Sequence, residues 1–514
     1  MTFDLMPLAR RMIAIDSRSQ RSNLELLAFL IPLCLEAGLQ TSLQEEDRDG
    51  VKQFNLIASR GPLDGETLLL ATHSDTVPPG DASLWTATGG DPFSLTEKDG
   101  ALHGLGVADV KLDLLCKLLA LDSLKGVTLG HNVALVATYG EETGRYGAKL
   151  LVKELTAAGV ENLPRRIIVG EPTRLRLCAA HKGYLEFRTT AVDPAPRSAP
   201  DLPYWKLVFS GVAAHSSQPQ HGTSANSACL AGLSYLGVGA AREGVAHGNA
   251  TRRSATRGDA AGETARGQVA LISVNGGEVI NKVSARCEAV VAAAEPPDVA
   301  RLLKSGVLAT GADCLMTPVE RPADGLWSPE LADRLLALDE LTQRLQRKSS
   351  RYQVPGFDPP YTTVNDGIVR LSGGHLSYAV DVRCVPGDAP ATILDQHEAA
   401  LRAMDGVSAP HAEGIRMQSE RVLDSAPFVA KRDSELLAAL ETVLREKGLP
   451  VEREIKSGTT EAAVYSEAGM DAIIFGPGPA SGNIHKPNEH VPVADLVAAI
   501  EIYRELVLLL CGSR

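Results

Sequence analysis

The chain has 514 residues, too many for one hydrophobic core of ordinary size, so two or three domains are expected. With 44% hydrophobic and 22% charged residues and a mean hydropathy near zero, it reads as an ordinary soluble globular protein, which excludes a disordered or membrane chain. A formal charge of -12, with no dense Lys/Arg run, excludes nucleic acid as an expected partner.

The first residues, MTFDLMPLARRMIAIDSRSQ, carry Asp4 early and lack a basic segment followed by an unbroken apolar run. This argues against a secretory signal and for cytoplasmic residence. The segments LLAFLIPLCLEAGL and DLVAAIEIYRELVLLLC are interrupted by Glu36, Glu501, Arg504 and Glu505, so packed amphipathic helices are expected and a membrane is not a partner. Cys34, Cys116, Cys178, Cys229, Cys287, Cys314, Cys384 and Cys511 lie far apart, mostly in apolar stretches, and read as reduced core thiols.

In the first third, NLIASR, ETLLLATHSD, NVALVATYGEE and RRIIVGEP are predicted strands with helical stretches between them. This is an α/β pattern around a largely parallel or mixed sheet. Ligands of such sheets bind in the crevice outside the carboxyl ends of the strands. There the chain places His73 and Asp75, Glu141 and Glu142, and Glu171. The pattern returns near the C-terminus as helix SELLAALETVLREKG, strand DAIIFGPG, a loop with His485 and a closing helix. A catalytic domain split into residues 1–190 and 421–514 accounts for both ends.

Residues 191–420 then form an inserted α+β domain, entered through the Pro-rich linker VDPAPRSAPDLP. Its predicted order is strand KLVFSG, helix GTSANSACLAGLSYLG, strands QVALISV and ARCEAVVAAA, and helix VARLLKSG. Helix PELADRLLALDELTQRL, strands TVNDGIVRL and HLSYAVDVR, and helix ATILDQHEAALRAM follow, loosely repeating the first half, so an internal duplication is open. The run REGVAHGNATRRSATRGDAAGETARG has no periodicity and reads as a mobile loop or insertion.

Five segments supply metal-ligand chemistry. His73 and Asp75 are two apart in ATHSDTVP, so on an extended backbone both leave one face and Asp75 can hold the far ring nitrogen of His73. Asp109 precedes the apolar run VKLDLLCKLLALDSL, near a helix start where the dipole favours negative charge; a plain helix-terminal Asp is the alternative. In ATYGEETG, Glu141 and Glu142 close an apolar strand, where adjacent carboxylates repel unless a cation or proton lies between them. RRIIVGEPT ends in Glu171, and FGPGPASGNIHKPNEH carries His485. Together His73, Asp109, Glu142, Glu171 and His485 suit two zinc-like ions sharing a carboxylate, with Glu141 left over as a base.

The order and spacing of THSDTVP, GVADVK, GEETG, VGEPT and NIHKPNEH resemble a zinc amidohydrolase and peptidase family that includes acetylornithine deacetylase, succinyl-diaminopimelate desuccinylase, aminoacylase and glutamate carboxypeptidase. GVAAHSSQPQHGTSAN and GGEVINKV extend the likeness into the middle region. The resemblance implies a zinc-peptidase-like catalytic domain, its central mixed sheet flanked by helices, with the α+β insertion as a dimerisation-type lid. It assigns His73, Asp109 and Glu171 to one ion and Asp109, Glu142 and His485 to the other, the ions being Zn2+ with Co2+ or Mn2+ as alternatives. Asp75 would orient His73, and Glu141 would move a proton from the attacking water to the leaving amine. His215 on the lid would stabilise the oxyanion. Asn281 and Arg383 would hold a substrate carboxylate, a structural salt bridge being the alternative for Arg383.

The implied substrate is a small N-acyl amino acid, with dipeptidase or carboxypeptidase action on short peptides as the alternative and a non-catalytic binding protein as the remote one. A phosphatase or nuclease also pairs metals, but the acidic chain and the lid His argue against a polyanion. The sequence departs from the family pattern at Leu105, usually Arg, and at Leu112 and Asp113, commonly glycines. SGTTEA replaces the usual Gly-Gly-Thr-Asp, so Gly458 and Thr459 would line the pocket with altered polarity. A homodimer is expected, or a monomer if the lid is an internal pseudo-dimer that lets His215 serve its own chain.

Overall fold

The computed structural model describes residues 4–159, 163–238, 269–322, 326–405, 415–456 and 458–513. The run at 242–267, expected as a loop or insertion, lies outside the described residues. The chain divides into two compact units, residues 1–182 with 426–514 and residues 183–425.

The first unit is built on a nine-stranded mixed sheet. Four adjacent strands at its centre are parallel: Val133–Thr138, Leu68–His73, Arg166–Val169 and Asp471–Ile474. Their apolar runs are continuous because helices cover both faces. Leu68 and Leu70 join one core with Val133, Leu135 and Ala137, against helices Leu5–Ile13, Leu24–Glu36, Lys111–Ser123, Glu435–Glu446 and Val493–Cys511. Leu69 and Ala71 join the opposite core with Ala134 and Val136, against helices Tyr146–Ala157 and Ala462–Glu467. The period-two alternation of strand side chains makes the division. Because the central strands run in one direction, their carboxyl ends deliver His73, Glu141 and Glu171 to one edge.

The helix Lys111–Ser123 is buried around nearly its whole circumference, Asp113 and Lys117 included. These two form an ion pair at 2.9 Å with both side chains fully buried. Lys117 Nζ also donates to the Ala71 carbonyl at 2.7 Å and to Thr72 Oγ1 at 2.8 Å, which ties the helix to the strand that carries His73. The Asp113 side chain, where the family pattern has glycine, thus belongs to the support of that strand.

The second unit is an eight-stranded antiparallel sheet with helices Ala225–Tyr235, Val299–Lys304, Pro329–Ser349 and Pro390–Asp405 among its elements. Two half-sheets meet where Val269–Gly276 pairs with Thr363–Ser372. Outward from that seam, one side runs Arg286–Ala293, Tyr204–Ser210, Asp313–Val319 and the other His375–Arg383, Tyr184–Val192, Gln418–Ser425. Tyr184–Val192, which the sequence reading leaves at the end of the catalytic part, pairs with His375–Arg383 and Gln418–Ser425, so this unit starts at Gly183. All eight cysteines are buried and none is in a disulfide, and among the described residues no helix is long and apolar enough to cross a membrane.

Candidate metal centre

His73 ends its strand and is 2% exposed. Its Nδ1 donates to the main-chain carbonyl of Asp75 at 2.9 Å, so in the neutral ring Nε2 presents a lone pair, and that atom lies 3.2 Å from Asp109 Oδ1. Two acceptors face each other stably only with a proton or a metal ion between them. Burial opposes charge on His73, but the hydrogen bonds to Asp109 and Asp75 prevail and raise its pKa well above the ordinary imidazole value.

Asp109 stands just before the helix Lys111–Ser123. Its Oδ2 lies 3.2 Å from His485 Nε2, so one carboxylate spans both histidines. Although burial disfavours its charge, His485 and His73 hold its pKa far below the carboxylate range. The loop before it is fixed by Glu489, which accepts the main-chain N–H groups of Gly106, Ala108 and Asp109 at 3.1, 2.8 and 3.0 Å. Burial pushes the Glu489 carboxyl up to about 7.

Glu141 and Glu142 begin a short helix, Glu141–Gly144, after Gly140 at φ 66°, a left-handed conformation that suits glycine. The Asp75 carboxylate accepts their amides at 3.1 and 3.4 Å and the Ser19 hydroxyl at 2.7 Å. It stands 3.6 Å from His73 Nδ1, whose nearer partner is the Asp75 carbonyl. Asp75 therefore touches both His73 and the Glu pair, by different atoms. Glu142 Oε1 lies 3.2 Å from His485 Nε2, and the ligand atoms of His73, Asp109 and Glu142 fall within 4.8 Å of one another. Burial and the charge of Asp109 raise the Glu142 pKa; burial and the charges of Glu171 and Glu142 raise that of Glu141 much further.

His485 sits in the left-handed region at φ 58°, and contact with Asp109 and Glu142 pushes its pKa up to about 11. Glu171 is 4% exposed and is ion-paired with Lys456. The preceding Gly170 leaves no room for a Cβ against the Asp113 carboxylate. Thr459 Oγ1 accepts from Arg145 at 3.1 Å, and a Cβ at Gly458 would lie 4.0 Å from Cε of Lys456, an ordinary van der Waals contact.

In the second unit, His215 is exposed, and its Nδ1 receives the Ser217 N–H at 3.1 Å, which leaves Nε2 as the protonated nitrogen. Desolvation and the charge of Arg383 lower its pKa. Asn281 is exposed, its carbonyl accepting the Ser216 N–H at 3.1 Å. Arg383 makes a two-pronged bond to Asp381, 3.0 Å on each arm, and lies over the Tyr184 ring at 3.9 Å.

Lys456, Glu489 and Ser19 carry no role in the sequence reading. Glu489 lies inside the NIHKPNEH segment that marks His485, but nothing in a sequence shows that the GLGVAD loop points three amides at it.

The profile of peptidase family M20/M25/M40 matches residues 69–509. The chain belongs to this family. Acetylornithine deacetylase of Proteus mirabilis (strain HI4320) is 35% identical over 212 residues, 41% of this chain and 47% of that one. That of Pasteurella multocida (strain Pm70) is 35% identical over 216 residues, 42% and 48%. The chain spans about half the length of the curated relatives it matches. Among solved structures, aminoacylhistidine dipeptidase from Vibrio alginolyticus is similar with a TM-score of 0.65, 16% identity and coverage of 98% of this chain and 96% of that one. The M20 metallo-carboxypeptidase Sso-CP2 from Sulfolobus solfataricus is similar at 0.56, 16% identity and 99% of each chain. These two likenesses show the fold.

For this M20/M25/M40 chain, the side chains at the strand ends fit a divalent ion. The donors are imidazole nitrogen and carboxylate oxygen, a set suited to zinc and its neighbours. The Nε2 atoms of His73 and His485 both point at acidic oxygens across 3.2 Å, a charge arrangement that a cation resolves.

Proposed function

We propose that this protein is a dinuclear metal-dependent hydrolase that cleaves the linear amide bond of an N-acyl amino acid. The observation that carries the reading is Asp109, whose two oxygens face the Nε2 atoms of His73 and His485 at 3.2 Å each. His73, Asp109 and Glu171 would hold one ion, and Asp109, Glu142 and His485 the other. When bound, zinc or a similar ion supplies Lewis acidity toward the scissile carbonyl and makes water a better nucleophile.

The chain's own groups do the rest. Glu141 belongs to neither ligand set, stands beside Glu142, and has a pKa raised first by burial. A carboxyl so placed takes a proton from the attacking water and gives it to the leaving nitrogen. Asp75 holds the amides of Glu141 and Glu142 and so fixes the base relative to a ligand. His215, with Nε2–H as a donor, serves the developing oxyanion. Asn281, Arg383, Gly458 and Thr459 serve the substrate; the Asp381 bond and the Tyr184 ring fix the Arg383 side chain.

Likeness to acetylornithine deacetylases at 35% identity favours an N-acyl amino acid over a dipeptide. The test is a hydrolysis screen of N-acetyl and N-succinyl amino acids against dipeptides with the zinc-loaded protein. Turnover of the acyl amino acids supports the proposal, turnover of dipeptides alone moves the assignment to a dipeptidase, and no turnover leaves the binding-protein alternative.

The mirrored half-sheets of the second unit support a further part of this reading, that the unit is an internal pseudo-dimer and the chain acts as a monomer. Light scattering coupled to size exclusion should then find an active monomer; an obligate dimer with inactive monomers would contradict it.

A further inference from the structure

Lys456 closes the short strand Glu454–Lys456, which lies parallel to Cys178–His181 at the side of the first unit's sheet. Its ammonium is ion-paired with Glu171, with side-chain exposures of 14% and 5%. Glu171 follows the strand Arg166–Val169, so the contact ties an ammonium to one of the carboxylates at the strand ends. The lysine thus already pairs with one of the three groups assigned to one ion, Glu171, which the other ion does not share.

The other ligand set is differently placed. His485 Nε2 stands 3.2 Å from both Asp109 and Glu142, and the charges felt by Glu142 are those of Asp109, His485 and His73. Among the described residues, the ion pairs of Glu142 and His485 join them to each other and to Asp109, with no lysine or arginine within ion-pair distance of either. A divalent ion entering there meets ligands already converging. An ion entering at Glu171 meets an ammonium already bonded to that carboxylate, and two cations cannot share it without repulsion.

We propose that Lys456 is a built-in counter-cation for Glu171, making the two ion positions unequal: the Asp109, Glu142 and His485 position fills first, and the His73, Asp109 and Glu171 position fills only as the ion displaces Lys456. The proposal rests on the dinuclear reading. It assigns to the departure around SGTTEA a control of metal occupancy, in addition to any effect on the substrate pocket.

The experiment is zinc titration of the metal-stripped full chain by calorimetry, with zinc retained after gel filtration measured by elemental analysis. The wild type should bind in two separated steps and retain about one ion per chain. K456Q should retain two, its weak step tightened on the order of tenfold or more, whereas K456R should keep the wild-type pattern. Two equal sites in the wild type, or a weak step unmoved in K456Q, would overturn the proposal; so would a changed KM with unchanged zinc binding, which marks a substrate-binding lysine. Saturation at one ion in all three proteins would instead remove the dinuclear reading, and this proposal with it. Circular dichroism verifies folding, and if K456Q does not fold, the separation of the wild-type steps and its retention in K456R decide.

Discussion

Glu489 accepts the main-chain N–H of Asp109 at 3.0 Å, across 380 residues of sequence. The same carboxylate takes the amides of Gly106 and Ala108, so one side chain from the C-terminal segment sets the loop that aims Asp109 at two histidines. Groups that support metal ligands in this way commonly contribute 10- to 100-fold in metal affinity. Glu489→Ala should therefore weaken zinc binding by roughly 10- to 100-fold, read by equilibrium competition with a chelating dye. Unchanged zinc affinity would show that the loop holds its shape without Glu489.

Glu141 and Glu142 are neighbours with different tasks in this account. Glu141→Gln should lower kcat by roughly 10²- to 10⁴-fold, the usual worth of a general base, while zinc content stays near that of the wild type. His485→Ala should instead lose zinc. Substantial activity in Glu141→Gln would remove the base assignment, and loss of zinc from it would make Glu141 a ligand.

The buried pair of Asp113 and Lys117 should show the asymmetry of buried charge. Lys117→Met leaves Asp113 without its cation and should cost about 3–5 kcal/mol, whereas Lys117→Met combined with Asp113→Leu should cost less than the single change. Urea denaturation of the wild type, Lys117→Met, Asp113→Leu and the double variant measures both. A double variant as unstable as the sum of its singles would show that the two side chains act independently.

Stability should also respond to pH through Asp339 on the helix Pro329–Ser349. Burial, then the charge of Asp366, raises its carboxyl from 3.8 to about 7, with Glu340 adding to the rise and Gln343 and Arg347 opposing it. The folded state therefore binds this proton more tightly than the unfolded chain. Its contribution is full below 3.8 and is lost as the pH rises through about 7. Asp339→Asn should raise Tm relative to the wild type more at pH 8 than at pH 5. A shift equal at both values would show that Asp339 titrates normally.

Much of the first unit was legible because parallel strands covered on both faces must be apolar throughout, as LLLATH and VALVAT are, and because chemistry at strand ends follows from their common direction. His73, Asp109, Glu142 and His485 were readable as ligand types, and the structure brings them together. Lys456 and Glu489 were not readable, since each acts on residues hundreds of positions away; Glu489 lies within NIHKPNEH, but that segment marks His485 and shows no link to the Asp109 loop. Strand Cys178–His181 was missed for a related reason: CAAH has no alternation, and its identity comes from pairing with Phe428–Val429 and Glu454–Lys456.

The central claim is that amide hydrolysis depends on ions held by the strand-end carboxylates and histidines. Its most direct test is turnover of an N-acyl amino acid by the protein as purified, after chelator treatment, and after zinc or cobalt is restored. The account predicts activity, its loss, and its return, with the folded state verified by circular dichroism at each stage. Full activity in protein shown by elemental analysis to be metal-free would contradict it.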